Sequence, residues 1–247
     1  MLEKQNLLGL TQVKLKKFFS DLNEKPFRTK QIMQWIFHQG ASDFGDMHNF
    51  SKDLRQKLQA IASIELPEVT SIDNSKDGVI KWVIKLSEEN HIETVYIPQK
   101  DRGTLCISSQ VGCSLACTFC ATGYQGFNRN LENHEIIAQV LIAQNHLKDK
   151  GRRISNVVFM GMGEPLLNES AVYDACDILL DDWAFGLSRR RVTVSSSGIV
   201  PALMRMSDTV PVSLAISLHA PNDELRDVLV PINKKYPIKE LMKACHY

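Results

Sequence analysis

The 247-residue chain contains no run close to the ~18 consecutive apolar residues that a membrane span requires, so no membrane role is expected. Its first ten residues, "MLEKQNLLGL", lack an apolar h-region and a small-residue cleavage pattern, so no secretory signal is expected. A dominant charge is missing too. There are 29 Lys and Arg against 28 Asp and Glu, and a net charge of +1 argues neither for nor against a nucleic-acid partner. A reducing, cytoplasmic setting is therefore expected, where clustered cysteines are more often a metal or catalytic site than a disulfide framework. A hydrophobic fraction of 44% and a charged fraction of 23% are ordinary globular values, sufficient for a core without staples.

Periodicity divides the chain into three parts. "TQVKLKKFFSDL" reads as a helix capped at Thr11, with Val13, Phe18, Phe19 and Leu22 as apolar-face residues. "FRTKQIMQWIFHQ" repeats the pattern and stops at Gly40. "SKDLRQKLQAIA" begins at Ser51 and carries Leu54, Leu58 and Ile61 on one side. These helices define an N-terminal helical accessory domain over residues 1–65. Its first 62 residues hold ten Lys and Arg against six acids, a surplus that serves either RNA phosphates or an ordinary solvated surface. "GVIKWVIKL" and "HIETVYIP" alternate around the polar turn "SEEN" and read as a β-hairpin linker over residues 66–98. From residue 99 onward, short apolar strands ("TLCISSQ", "NVVFMGM", "RVTVSSSG", "VSLAISLHA") alternate with helices, which implies βα units and a parallel sheet. About four such strands are too few to close an eight-stranded barrel. The final "LMKACHY" lies within an amphipathic helical pattern, so an α/β partial barrel, C-terminally incomplete, is expected over residues 99–247.

Between the first two of these strands lies "CSLACTFC", with Cys113, Cys117 and Cys120. Structural zinc commonly takes two separated ligand pairs, and the fourth ligand here would have to be distant, such as His134 or His219. Buried cysteines packing as small hydrophobes are the plain alternative, yet Ser114, Thr118 and Thr122 make the loop too polar for that. Three thiolates in one loop more readily hold three corners of a 4Fe–4S cube, leaving one iron open.

Cys113-x3-Cys117-x2-Cys120, with Phe119 before the last cysteine, resembles the signature of radical S-adenosylmethionine (SAM) enzymes. The flanks "SSQVGCSLACTFCATGYQGFNRNL", "MGMGEPLLN", "SLAISLHAPND" and "VPINKKYPI" resemble those radical SAM RNA methyltransferases that act on C2 of adenine in 23S rRNA and in tRNA beside the anticodon. The resemblance implies a 4Fe–4S cluster on the three cysteines and SAM on the open iron. It also implies a radical SAM partial (β/α) barrel, a reduced flavodoxin- or ferredoxin-type electron donor, and a monomer that meets no membrane.

Residue roles follow from the same resemblance. Gly163 and Glu164 of "GMGEP" match SAM-contacting positions, at a strand's carboxyl end where open α/β sheets bind ligands. Ser195, and the run Ser217, Leu218 and His219, end two further strands and match SAM-binding positions. Taken singly, the serines read as caps and His219 as a core histidine. Glu93 matches a proton acceptor, a role that asks for a burial-raised pKa; by itself it reads as an exposed strand residue. Cys106 matches the thiol that resolves a covalent protein–RNA intermediate by disulfide formation. The methyl-carrying cysteine of the family falls beyond Tyr247, and neither Cys176 nor Cys245 matches it. RNA methylation by these 247 residues alone is therefore not expected. Two other readings compete: a relative methylating C8 of the same rRNA adenine, and an inactive or SAM-cleaving remnant that binds RNA. The close match of the flanks favours C2.

Overall fold

A computed structural model describes residues 4–247. Strand β1 (Gln5–Asn6) pairs in parallel with β2 (Ala62–Ser63) and closes a bundle of α1 (Gln12–Asp21), α2 (Phe27–Met33) and α3 (Lys52–Ile61). Thr11 and Ser51 cap α1 and α3 by accepting from Lys14 N and Leu54 N, because an N-cap oxygen satisfies an otherwise orphan helix donor. Helix α2 loosens into a π-helical turn over Gln34–His38, and Gly40 follows at φ +70°, where the absence of a Cβ removes the left-handed penalty. The apolar stripe of α1 differs from expectation. Val13 is 74% exposed, whereas Leu15 and Phe19, one turn apart, are fully buried. Val13 sits two residues before Leu15, on the far side of the helix. Ile61 likewise lies at the edge of the α3 stripe and is part exposed.

The rest is built on one seven-stranded sheet. Its strands are β3 (Glu68–Asn74), β4 (Ile80–Lys85), β5 (His91–Gln99) and β6 (Arg102–Cys106), then β9, β10 and β11, as follows. After β6 come a short ribbon of β7 (Gln110–Gly112) and β8 (Phe127–Asn130), with α4 (Ala121–Tyr124) between them. Helix α5 (Asn133–Lys148) leads to β9 (Asn156–Phe159), α6 (Glu169–Leu180) to β10 (Val192–Ser196), and α7 (Val200–Thr209) to β11 (Ser213–Ile216). Helices α8 (Asp223–Leu229) and α9 (Ile238–His246) complete the chain. The spatial order is β11-β10-β9-β6-β5-β4-β3, parallel from β11 to β6 and antiparallel from there to β3. The hairpin strands β4 and β5 thus continue the same sheet as the βα units.

Two elements carried no clear sequence signal. β3, "EVTSIDN", is an edge strand with no buried residue, so it shows no apolar alternation. The β7–β8 ribbon is only seven residues in all, too short for periodicity to register. No helix among the described residues is long and apolar enough to cross a membrane.

A buried amide locks the sheet to α5. Gln139 Oε1 accepts from Thr94 Oγ1 on β5 and from the Ser108 N–H, both at 2.8 Å, while its Nε2 donates to the Ser108 carbonyl at 2.9 Å. Ser108 Oγ then donates to the Glu93 carbonyl at 2.7 Å and accepts from Met162 N at 2.9 Å. Replacing Gln139 by Leu leaves these groups unpaired in the interior, so Gln139→Leu is expected to lower stability by about 2–4 kcal/mol in urea denaturation. A loss below about 1 kcal/mol would show that water substitutes for the amide.

Candidate active site at the carboxyl ends of the parallel strands

The cysteine loop leaves the carboxyl end of β6 and is held by its own ribbon. Cys113 N donates to the Gly126 carbonyl at 3.0 Å, and a bulge between Val111 and Gly112 bends the strand inward. Gly112 has φ +72°, and a Cβ there would overlap the Gly126 carbonyl oxygen, so the two arms meet this closely only because position 112 is glycine. Inside the loop Ala116 adopts φ +49°, an uncommon geometry for a residue with a side chain. Thr118 N donates to the Leu229 carbonyl at 3.1 Å, which ties the loop to the end of α8.

Facing the loop are the ends of three strands. Cys113, Cys117 and Cys120 share one cavity of roughly 340 Å³ with Gly163, Glu164, Ser195, Ser217 and His219. Phe119 and His219 lean together across its mouth, their rings 4.4 Å apart. Among the described residues no three Cys, His, Asp or Glu side chains converge on a point that one metal ion could occupy. The thiols instead line a common hollow, which suits the corners of a multi-iron cluster better than the ligands of a single zinc. Burial pushes the Cys113 and Cys117 thiols above their usual range, and the neighbouring sulfurs and Glu164 add to it.

Glu164 is buried and its carboxylate is already shared. Oε1 accepts from Leu166 N at 3.1 Å and Oε2 from Ser197 N at 2.8 Å, while burial holds its pKa above the ordinary carboxylate value. Gly163 stands at φ +96°, where a Cβ would overlap the Gln110 side chain, and Gln110 Oε1 accepts from Glu164 N at 2.8 Å. Ser195 and Ser217 face each other at 3.3 Å between β10 and the end of β11. His219 takes φ +63°, and burial together with the nearby Arg226 lowers its pKa.

Three expected site residues lie outside the cavity lining. Leu218 is 37% exposed beside it. Glu93 is exposed on β5 and ion-paired with Lys81 at 3.0 Å. Cys106 is paired with Val95 of β5 and with Val158 of β9, which by strand alternation puts it on the same sheet face as Glu93. Its sulfur accepts from the backbone of Met160, a cavity residue, and burial raises its pKa to about 11.

Reading the sequence missed Arg226. Its side chain is fully buried, with Nε donating to the Leu218 carbonyl at 3.0 Å, Nη2 to the Ser197 carbonyl at 2.6 Å and Nη1 to Asn233 Oδ1 at 2.8 Å. One guanidinium thereby fixes the loops after β10 and β11, just past the candidate SAM serines Ser195 and Ser217. Nothing in "DELRDVLVPIN" distinguishes this arginine from a surface one, since the run is an ordinary charged helix.

Residues 107–247 match the radical SAM superfamily, and residues 5–64 match the ribosomal RNA large subunit methyltransferase N-terminal domain. The chain is 67% identical over 244 residues to the dual-specificity RNA methyltransferase RlmN of Vesicomyosocius okutanii subsp. Calyptogena okutanii (strain HA). It is 64% identical to that of Ruthia magnifica subsp. Calyptogena magnifica, and each alignment spans 99% of this chain and 68% of the relative. The chain belongs to the RlmN family. A radical SAM methyltransferase from Sphaerobacter thermophilus has the same fold, with a TM-score of 0.90 and 40% identity over 98% of this chain and 71% of its own. The RlmN family accounts for the partial (β/α) barrel, with its helical N-terminal domain, and for cofactor requirements of a 4Fe–4S cluster and SAM. The donor set agrees: three thiols around one hollow, bounded by strand ends rich in small polar groups.

Two outcomes are expected at this RlmN-family site. Iodoacetamide should label Cys106 at least ~10-fold more slowly than the exposed Cys245 at neutral pH, with a rate rising ~10-fold per pH unit toward its pKa, since only thiolate reacts. Mass spectrometry of the labelled peptides reads this, and equal labelling would contradict the burial. Arg226→Met should cost about 3–5 kcal/mol in denaturant titration, because several carbonyls and Asn233 lose a buried charged donor. Unchanged stability would mean that the loops hold themselves.

Proposed function

We propose that this chain carries the SAM-cleaving centre of an RNA methyltransferase acting on C2 of adenine, in 23S rRNA and in tRNA beside the anticodon. The observation that carries the reading is the shared cavity, in which the three-cysteine loop faces the carboxyl ends of β9, β10 and β11. Cys113, Cys117 and Cys120 would hold a 4Fe–4S cluster. Once bound, and reduced by a flavodoxin- or ferredoxin-type donor in the cytoplasm, that cluster supplies the electron that cleaves the sulfonium of SAM.

The chain's own residues supply position and polarity. Gly163 brings backbone to the cavity wall without a side chain, and Glu164 offers a buried acceptor to an ammonium group. Ser195, Ser217 and His219 line the opposite wall, where hydroxyls and an imidazole suit the polar end of a nucleoside. Leu218 flanks them. Glu93 and Cys106 share one sheet face, which supports a reading in which the substrate base meets Glu93 as proton acceptor and Cys106 as resolving thiol on that side. A thiol with a pKa of about 11 is almost wholly protonated at neutral pH, so this role needs a base or a nearby positive charge during turnover. The alignments leave about a third of each relative's length unmatched, and the family resemblance places the methyl-carrying cysteine beyond Tyr247.

Anaerobic reconstitution with iron and sulfide tests this reading. The chain should take up about four irons, show an electron paramagnetic resonance signal that changes on adding SAM, and release 5′-deoxyadenosine when reduced. Cys117→Ala should abolish all three. An unaltered chain that remains iron-free after reconstitution would sink the proposal.

A further inference from the structure

The opposite end of the sheet carries a second feature that the cavity does not explain. The turns 99–102, 148–153 and 188–191 together hold nine Lys and Arg against two Asp, in a chain whose net charge is only +1. Each turn leads into a parallel strand: Arg102 opens β6, Arg153 shortly precedes β9, and Arg191 immediately precedes β10. These three strands are direct neighbours in the sheet, so the turns form one continuous rim. All nine side chains are exposed.

Among the described residues none of the nine belongs to an ion pair. Only Lys150, on Asn74, and Arg152, on the Gly78 carbonyl, have side-chain hydrogen bonds, and both acceptors are neutral. The rim is also concave. Tyr96, Pro98, Lys100, Arg102, Arg152 and Arg153 surround a hollow of roughly 560 Å³, in which Asp77 and Asp101 are the acidic members.

Cations after a helix end are often explained by the helix dipole, and Lys148 at the end of α5 fits that account. It does not extend to the others. The last turn of α5 is already closed by backbone donors, with Arg152 N on the Leu147 carbonyl and Gly151 N on that of Lys148. Arg189, Arg190 and Arg191 form a single 3-10 turn leading into β10, too short to build a helix dipole. Unpaired like charges on adjacent turns repel one another and cost stability, so a polyanion is the natural counterpart. Six of the nine are arginines, whose planar fork matches phosphate oxygens two at a time. An acidic electron-donor protein suits the rim less well, because the cysteines lie at the other end of the strands.

We infer that this rim is a docking surface for the phosphate backbone of the substrate RNA, remote from the SAM cavity. The inference rests on the RNA methyltransferase reading above and adds a consequence to it. RNA that reaches both the active site and the rim must pass around the sheet, so the rim favours large folded RNA over a short stem–loop.

Fluorescence anisotropy decides it, using the whole chain with a full-length tRNA transcript and with its isolated anticodon stem–loop over a series of salt concentrations. The variant Arg153→Ser/Arg189→Ser/Arg190→Ser removes three exposed charges whose side chains make no hydrogen bonds in the fold; circular dichroism melting verifies that it folds. Affinity for the full transcript should fall ~10-fold and the slope of log K against log salt should shrink by about 2, with stem–loop affinity unchanged within ~2-fold. Equal losses for both RNAs, or no loss for either, would overturn the rim. Intact RNA affinity with slowed reduction by flavodoxin would overturn it in favour of a protein partner. If the unaltered chain binds neither RNA, the RNA reading itself fails, and the rim proposal with it.

Discussion

The buried side-chain amide of Gln139 is the joint on which the site depends. A primary amide in an apolar interior must pair its donors and acceptor or lose several kcal/mol, and this one pairs with both backbone groups of Ser108 and with Thr94. Ser108 stands just after β6, where the chain leaves the sheet for the cysteine loop. Its hydroxyl joins β5 to Met162 of the "GMGEP" turn. One helix residue therefore sets the relative position of the cysteine loop, the glycine-rich turn and the strand that carries Glu93. Such a network tolerates no half-measures: it either orders the whole corner or exposes unpaired groups.

A second clamp acts from the other side. Arg226 gathers the loops after β10 and β11, and Leu229 on the same helix accepts from Thr118 of the cysteine loop. Burying a guanidinium is expensive unless its donors are used, and here three of its nitrogens find oxygens. The cavity thus lies between two polar joints, one in α5 and one in α8. The backbone at its rim departs from common geometry at Ala116, Gly163 and His219, as is frequent where a fold holds loops around a ligand. The N-terminal bundle docks on the outside of the sheet through α5, where Asn133 Nδ2 donates to the Gly9 carbonyl at 2.7 Å. Phe37 of the bundle also meets Phe185 in the loop after α6. The bundle's extra positive charge is carried beside the core, and the cavity is left open.

Much of the chemistry was legible because it is written in short, dense motifs. Three cysteines within eight residues admit few chemical uses, and the strand–turn pattern "NVVFMGMGEP" combines a buried strand with glycines that let backbone approach closely. The hairpin was readable from its alternation, although the sheet that absorbs it was not. Val13 and Ile61 were misplaced because a helix face drawn from a few apolar residues leaves its edges undefined. Strand β3 and the β7–β8 ribbon escaped because an edge strand with no buried face, or a strand of three or four residues, has no period to detect. Arg226 escaped because burial of a charged side chain depends on partners from distant segments.

The sequence alone determined which residues could carry a cluster, where helices and apolar strands begin, and the family to which the motifs point. Those are local properties, set by spacing, capping and side-chain chemistry within a few residues. The tertiary structure decided which strand ends meet: that Ser195, Ser217 and His219 face the cysteines while Glu93 lies exposed in an ion pair, and that nine scattered cations from three turns gather on one rim. Those relations depend on strand order and on buried polar joints between segments far apart in the chain, and no local pattern encodes them.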